Sequence, residues 1–211
     1  LAFYRQYRDR RRIVYIGGND GLLHAFNAGW FDEGSQQHIT EKPDHASWLL
    51  GQEVWAFVPF NLLPHLKYLS KKENGESVSD HLFVVDQTPY VFDAQIFGNA
   101  QLKGQEDRDF VDSHGVKVND VTHPNGWGTI MVVGFGRGGS ESQVFKDPMA
   151  KNTRAKDNVM SIRPSYLIFD ITDPEQAPRL LTEFSHPKLL SSRAVPTVIT
   201  TKAEGGELSW Q

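Results

Sequence analysis

The chain has 211 residues, 39% hydrophobic and 23% charged, with a formal net charge of -4. This balance supports a packed core and excludes a disordered tail or a general polyanion binder, which needs a basic face. No cysteine occurs, so disulfides, cysteine-ligated zinc, iron–sulfur centres and thiol catalysis are excluded within it, and no apolar run is long enough to span a bilayer.

Residues 1–12 form a lead-in that carries Arg5, Arg8, Arg10, Arg11 and Arg12. Such a charge run reads as a solvated approach to the first strand, not as a site for an acidic partner. A hairpin follows, with strands near 13–17 and 22–27 around Gly18-Asn19-Asp20-Gly21. Asn, Asp and Gly accept the left-handed backbone of a tight turn, so Asn19 and Asp20 read as turn residues, not ligands. His24 reads as a structural histidine bonded to backbone, because no second histidine stands at metal-ligand spacing.

A polar insertion, 28–50, carries Trp30, Phe31 and Trp48 before a third strand near 53–57. Trp55 on that strand is expected to pack between sheets. One short helix is expected after it, with Leu62, Leu66 and Leu69 at helical spacing and Pro64 in its first turn. A Pro-led strand starts at Thr88-Pro89 and is followed by an acidic insertion, 98–126. Asp107, Asp109 and Asp112 lie there without the Gly and terminal Glu of a calcium loop, so a solvated acidic loop is expected.

The next strand, near 130–134, runs into Gly134-Phe135-Gly136-Arg137-Gly138-Gly139. With no helix after it and no Lys-Ser/Thr ending, this glycine run is expected to be a hairpin turn and not a phosphate cradle. A third insertion, 139–164, carries Lys146, Lys151, Arg154, Lys156 and Arg163. Strands near 166–171 and 180–184 follow, separated by Asp170-Ile171-Thr172-Asp173-Pro174, whose Asp and Thr side chains are expected to bond the turn backbone. Val195-Pro196-Thr197-Val198-Ile199-Thr200 opens a further unit over 195–211. The chain starts at Leu1 without a visible signal peptide and stops in what reads as a half-strand, so a segment of a longer protein is expected.

The strands repeat in order. Residues 13–17 align with 130–134, Phe26 with Phe169, and Val54-Trp55-Ala56-Phe57 with Leu181-Thr182-Glu183-Phe184. The repeating unit is a four-stranded antiparallel meander, and an isolated unit buries too little surface to stand alone. The expectation is an all-β fold, a partial β-propeller of quinoprotein-like four-stranded blades with long insertion loops and one short helix. One blade uses 13–17, 22–27 and 53–57 and its first strand is missing; a second spans 89–184; a further one begins at 195–211. A Greek-key β-sandwich is the competing architecture.

Val14-Tyr15-Ile16-Gly17-Gly18-Asn19-Asp20-Gly21-Leu22-Leu23-His24-Ala25-Phe26, followed by Gly51-Gln52-Glu53-Val54-Trp55-Ala56-Phe57-Val58-Pro59, resembles the C-terminal propeller of the PilY family of type IV pilus tip-associated proteins. The likeness continues through Leu62-Leu63-Pro64-His65-Leu66, Val85-Asp86-Gln87-Thr88-Pro89, Val132-Val133-Gly134-Phe135-Gly136-Arg137-Gly138-Gly139 and Phe169-Asp170-Ile171-Thr172-Asp173-Pro174. Gln87 stands where that family has Gly, and Gly128 follows Trp127 where a larger residue is common.

The resemblance implies an exported, extracellular protein at the pilus tip or bacterial cell surface. It implies a non-enzymatic structural and adhesion module acting in pilus biogenesis, adhesion, twitching motility and control of retraction. Implied partners are minor and major pilins and a host or abiotic surface, with no nucleic acid and no membrane span in this segment. Some members bind calcium through a loop this segment lacks, so the cofactor expectation is none here and calcium elsewhere in a full-length protein. No catalytic, cofactor-binding or metal residue is nominated. The alternatives are a fragment of a quinoprotein (PQQ-type) dehydrogenase propeller, which shares the hairpin pattern, and an outer-membrane assembly scaffold of the same class.

Overall fold

The computed structural model describes residues 2–42, 45, 48–69, 83–97, 122–138, 142–145, 158–186, 188–189, 191–197, 200–202 and 208–210. Helix α1 (Ala2–Tyr7) precedes β1 (Ile13–Gly17), β2 (Leu23–Asn27), β3 (Trp30–Asp32), β4 (Gln37–Ile39) and β5 (Glu53–Phe57). A 3-10 turn (Phe60–Leu62) runs into α2 (Leu63–Leu69). Next come β6 (Tyr90–Gln95), a 3-10 turn (Pro124–Gly126), β7 (Trp127–Gly134), β8 (Ser142–Phe145), β9 (Val159–Ile162), β10 (Ser165–Asp170), β11 (Arg179–Ser185), β12 (Thr200–Lys202) and β13 (Leu208–Trp210).

The fold is mostly β, in several antiparallel sheets. The first sheet has the order β1-β2-β5 and the second the order β11-β10-β7-β6, a meander in which each strand pairs with the next of the set. The strands expected near 13–17, 22–27, 53–57, 89–94, 130–134, 166–171 and 180–184 are present within a few residues, whereas Val195, Pro196 and Thr197 carry no strand and β12 begins at Thr200. Three expectations need correction. A second helix, α1, stands in the lead-in, where the Phe3 and Tyr7 rings meet at a tilt one helical turn apart (5.1 Å between ring centroids) and Phe3 also meets Trp127. Two insertions are not plain loops, since they contain the hairpins β3–β4 and β8–β9. Pro64 does sit at the second position of α2, where a missing N–H costs nothing.

Register makes the repeat concrete. Ile13 pairs with Asn27 as Ile130 pairs with Asp170, and Gly17 pairs with Leu23 as Gly134 pairs with Tyr166. Leu23 then pairs with Phe57 as Tyr166 pairs with Phe184. A bulge falls between Ala25 and Phe26 in the first sheet and between Ile168 and Phe169 in the second, the same place in both. The aligned pairs read from the sequence, Phe26 with Phe169 and Phe57 with Phe184, therefore occupy equivalent positions.

The main core lies between the two sheets. Leu23, Tyr15, Trp55 and Phe57 of the first sheet meet Met131, Val133, Leu167 and Phe169 of the second, with Leu62, Val84 and Val85 sealing the cluster. Phe57 and Phe169 meet edge to face at 5.0 Å, and Tyr15 lies against Trp55 at 5.7 Å. Trp55 thus packs between sheets as its sequence position implied. Strands alternate faces, so the second sheet turns Ile130, Val132, Tyr166 and Ile168 the other way, into a separate cluster with Phe92 and Ala94.

Equivalent positions use opposite neighbours. The first sheet packs inward through Tyr15 and Phe57, whose counterparts Val132 and Phe184 lie on the second sheet's far face. The second sheet packs inward through Met131, Val133 and Phe169, whose counterparts are Val14, Ile16 and Phe26 on the first sheet's free face. The two sheets are stacked head to tail.

Candidate functional site

A cavity of about 510 Å³ lies between α1, the arginine segment and the facing edges of the two sheets. Tyr4 and Tyr7 of α1, Arg8 and Arg12, Tyr15 of β1, and Val91 and Asp93 of β6 are among its walls. Burial pushes the Tyr15 phenol up to a pKa of about 12, against the opposing pull of Arg10, so it stays a neutral donor. Asp93 accepts from the Thr129 hydroxyl (2.6 Å), and Arg10 donates to that same hydroxyl (2.8 Å) and to the Thr172 carbonyl (3.0 Å). The walls are aromatic and basic with one carboxylate, a lining whose chemistry suits an extended chain or an anionic group.

The arginine run is not uniformly solvated, which overturns the reading of the lead-in. Arg8 is exposed and pairs with Asp9. The Arg11 side chain is fully buried and forms a two-point ion pair with Glu175 (2.8 and 3.2 Å). It also donates to Asn27 Oδ1 (2.9 Å), and its guanidinium lies 3.9 Å from the Trp30 ring centre and 4.6 Å from that of Trp48. A planar cation that stacks and forks at once is the property arginine has and lysine lacks. Arg11 joins the lead-in, β2, the 28–50 insertion and the turn after β10.

The second sheet has a counterpart. Asp170, at the position equivalent to Asn27, receives His123 Nε2 (2.9 Å), and His123 lies stacked on Phe97 (3.8 Å). Burial acts to raise the Asp170 pKa. The His123 and Thr172 hydrogen bonds, with the charge of His123, outweigh it and the net shift is downward. The Thr172 amide and hydroxyl donate to Asp170 Oδ1 (3.1 and 2.6 Å), and the Glu175 amide donates to Asp173 Oδ1 (3.0 Å), as the turn reading of this motif required. Neither donor was legible in the sequence. The acceptor that ends each repeat strand was visible, but its donors come from outside the repeat.

His24 bonds carboxylates, not backbone. Its Nδ1 lies 2.5 Å from Glu53 Oε1 and its Nε2 3.0 Å from Asp20 Oδ2. Burial acts to lower its pKa, but the bonds to Glu53 and Asp20 and their charges win, and the net shift is upward. Asp20 also accepts the Leu22 amide (3.1 Å), and Gly21 has φ +92°, so the Asn19-Asp20 pair is a turn. Among the described residues no group of three or more His, Asp and Glu is arranged to hold a metal ion. Asp107, Asp109 and Asp112 lie outside the described residues, as do Lys146, Lys151, Arg154 and Lys156.

The glycine run is a seam between loops, not a hairpin turn. Beyond β7, the Phe135 amide donates to Ser192 Oγ (2.7 Å) and the Gly138 amide closes a turn on the Phe135 carbonyl (2.8 Å). Gly136, at φ +62°, lies against Asp86, and a Cβ at Gly138 would collide with the Val84 carbonyl. β8 pairs with β9, and the strand that returns along β7 is β10, beyond that insertion. The two departures from the family pattern have local reasons. Gln87 reaches over Gly134 and donates to the Ala194 carbonyl (2.8 Å), and Gly128 leaves room for the Phe97 ring.

A protein described as a type IV pilus biogenesis factor PilY1 homolog, from Xylella fastidiosa (strain Temecula1 / ATCC 700964), is 29% identical to this chain over 126 residues. The match covers 59% of this chain and 8% of that protein, so the chain spans a small part of its relative. No family model matches the chain. No solved structure matches it significantly. No helix among the described residues is long and apolar enough to cross a membrane.

Proposed function

We propose that this chain is part of a β-propeller in a type IV pilus tip protein, where it acts without catalysis in pilus assembly, surface adhesion and control of retraction. The observation that carries the pilus reading is the 126-residue similarity to the PilY1 homolog, together with the ordered motifs it shares with that family. The propeller reading is supported by the head-to-tail stacking of two sheets with one register and one bulge position. A head-to-tail contact leaves a complementary face at each end, and repetition with rotation closes such a stack into a ring. A two-sheet sandwich would carry polar outer faces, whereas Val14 and Ile16 on one outer face are 53% and 52% exposed and Phe184 on the other is 54% exposed.

On this reading the protein is exported, works outside the cell and contacts pilins and a surface through its insertions. Deletion of the gene in its native host tests it. The expected result is loss of surface pili and of twitching, restored by the wild-type gene. Normal pilus number and motility after deletion would overturn the pilus reading. A bound quinone with alcohol-dependent dye reduction in the purified protein would replace it with a dehydrogenase.

A further inference from the structure

We infer that the edge of β1 left unpaired among the described residues receives a fourth strand from the same polypeptide, with the alternation of β6 and an acidic residue opposite Arg12. The inference rests on the propeller reading and adds to it which edge is completed, by what sequence pattern and in what register.

β1 and β7 are equivalent strands. β7 is flanked on both edges, by β6 and β10, and its residues from Gly128 to Gly134 are buried. β1 pairs with β2 alone among the described residues. Bonds from Arg12 N–H to the Gly29 carbonyl and from Gly18 N–H to the Leu22 carbonyl run toward β2. Alternation in an antiparallel ladder then points the Ile13 and Tyr15 backbone groups to the other edge. An apolar strand with an open ladder is a template for another strand. The cavity lies beside this edge, walled by Ile13 and Tyr15 on one side and Val91 and Asp93 on the other.

The repeat states what fits. On β7, Tyr90 stands opposite Val132, Phe92 opposite Ile130 and Asp93 opposite Thr129. Carried to β1, the incoming strand runs antiparallel. Large apolar residues fall opposite Tyr15 and Ile13, and the residue equivalent to Asp93 falls opposite Arg12. Arg12 is exposed, so a carboxylate there meets a cation where the β6–β7 pair has a carboxylate bonded to Thr129.

Amide hydrogen exchange on the intact protein from its native source tests this, read in peptides covering 12–18 and 129–134. The expected result is protection of 12–18 close to that of 129–134, on the order of a hundredfold slower exchange than an unpaired edge. Protection should be unchanged on dilution, and the exposed-site variant R12E should lower it about two- to fivefold while R12K does not. Fast exchange at 12–18 would overturn the proposal. Protection that falls on dilution would also overturn it, by assigning the strand to a second molecule, and an R12E protein with unchanged exchange would overturn the acidic match. Thiol labelling of V14C in the same protein separates this from failure of the propeller reading. V14C shielded with 12–18 unprotected leaves the ring and removes the strand, whereas V14C labelled freely removes the ring itself.

Discussion

Val14 and Met131 occupy the same position in the same kind of strand, yet Val14 is 53% exposed and Met131 fully buried. Ile16 and Val133 repeat the contrast one step along the strand. The face that the second sheet buries in the core is, in the first sheet, the one turned to solvent. Val14, Ile16 and Phe26 repeat the apolar positions of Met131, Val133 and Phe169, with His24 in place of Leu167, so most of the difference belongs to what each sheet stands beside. A face that is apolar by pattern and bare by structure marks where a further layer belongs.

The largest effect that tests this contrast is cavity creation. Met131→Ala should cost about 2–5 kcal/mol in denaturant unfolding, because it removes buried volume between two sheets that cannot collapse freely. Val14→Ala in residues 1–211 should cost under about 1 kcal/mol, since water already reaches the site. In the intact protein the Val14→Ala cost should rise toward that of Met131→Ala. Equal small costs for Val14→Ala in both contexts would break the equivalence of the two faces.

Next comes the way each sheet anchors the end of its central strand. Arg11→Met keeps much of the stem packing between Trp30 and Trp48 but leaves Glu175 without its ion-pair partner. Removing one partner of a buried pair costs about 3–5 kcal/mol; Glu175 retains 22% side-chain exposure, so about 2–3 kcal/mol is expected here. Circular dichroism melts of Arg11→Met and Arg11→Lys check it. Lysine restores charge without the planar stack, so it should recover only part of the loss.

Asp170→Asn converts the second sheet's strand end into the first sheet's, where Asn27 holds the equivalent place. An amide oxygen still accepts the Thr172 amide, but the charge facing His123 and Arg179 is gone. A loss of about 1–2 kcal/mol is expected at neutral pH. Its pH dependence identifies the cause. The Asp170 pKa is lowered in the fold, so its contribution is present above the ordinary carboxylate value and fades as pH falls through the lowered one. Wild type should lose this stability in acid, and Asp170→Asn should show a flatter acid limb in urea titrations.

Much of the fold was legible because strand order, glycine ends and the Phe that closes each third strand are local signals. Trp55, the Asp170 turn and the Phe26–Phe169 alignment came from residue type and spacing alone, and register later placed them together. The site was less legible. Arg11 sits in a charge run that reads as solvated, and its burial depends on Trp30, Trp48 and Glu175, which are far apart in sequence. His123 lies inside an insertion that no repeat predicts, and its carboxylate partner is 47 positions away. Helix α1 was missed because six residues with no buried side chain give no apolar stripe; Phe3 and Tyr7 hold it by packing on each other, and Phe3 by its contact with Trp127. The glycine run reads as a hairpin turn in the sequence and is a seam between loops in the structure, since glycine signals close approach without saying to what.

The smallest expected effect comes from the turn in the first sheet that the second sheet lacks. His24 stands between Asp20 and Glu53 on the free face, while the equivalent Leu167 is buried in the core. Its pKa is raised above the ordinary 6.5, so the charged form is favoured by folding. The associated stability is fully present below about pH 6.5 and is lost as pH rises through the raised value. Asp20 and Glu53 are about half exposed, so water screens the pair and the contribution is on the order of 0.2–1 kcal/mol. Denaturant midpoints of wild type should fall slightly between about pH 6 and pH 9, and His24→Gln should remove that slope. If another sheet covers this face in the intact protein, burial strengthens each bond the histidine makes and also opposes its charge, so the slope should change. A slope identical in the intact protein and in residues 1–211 would mean that the free face of the first sheet stays in water.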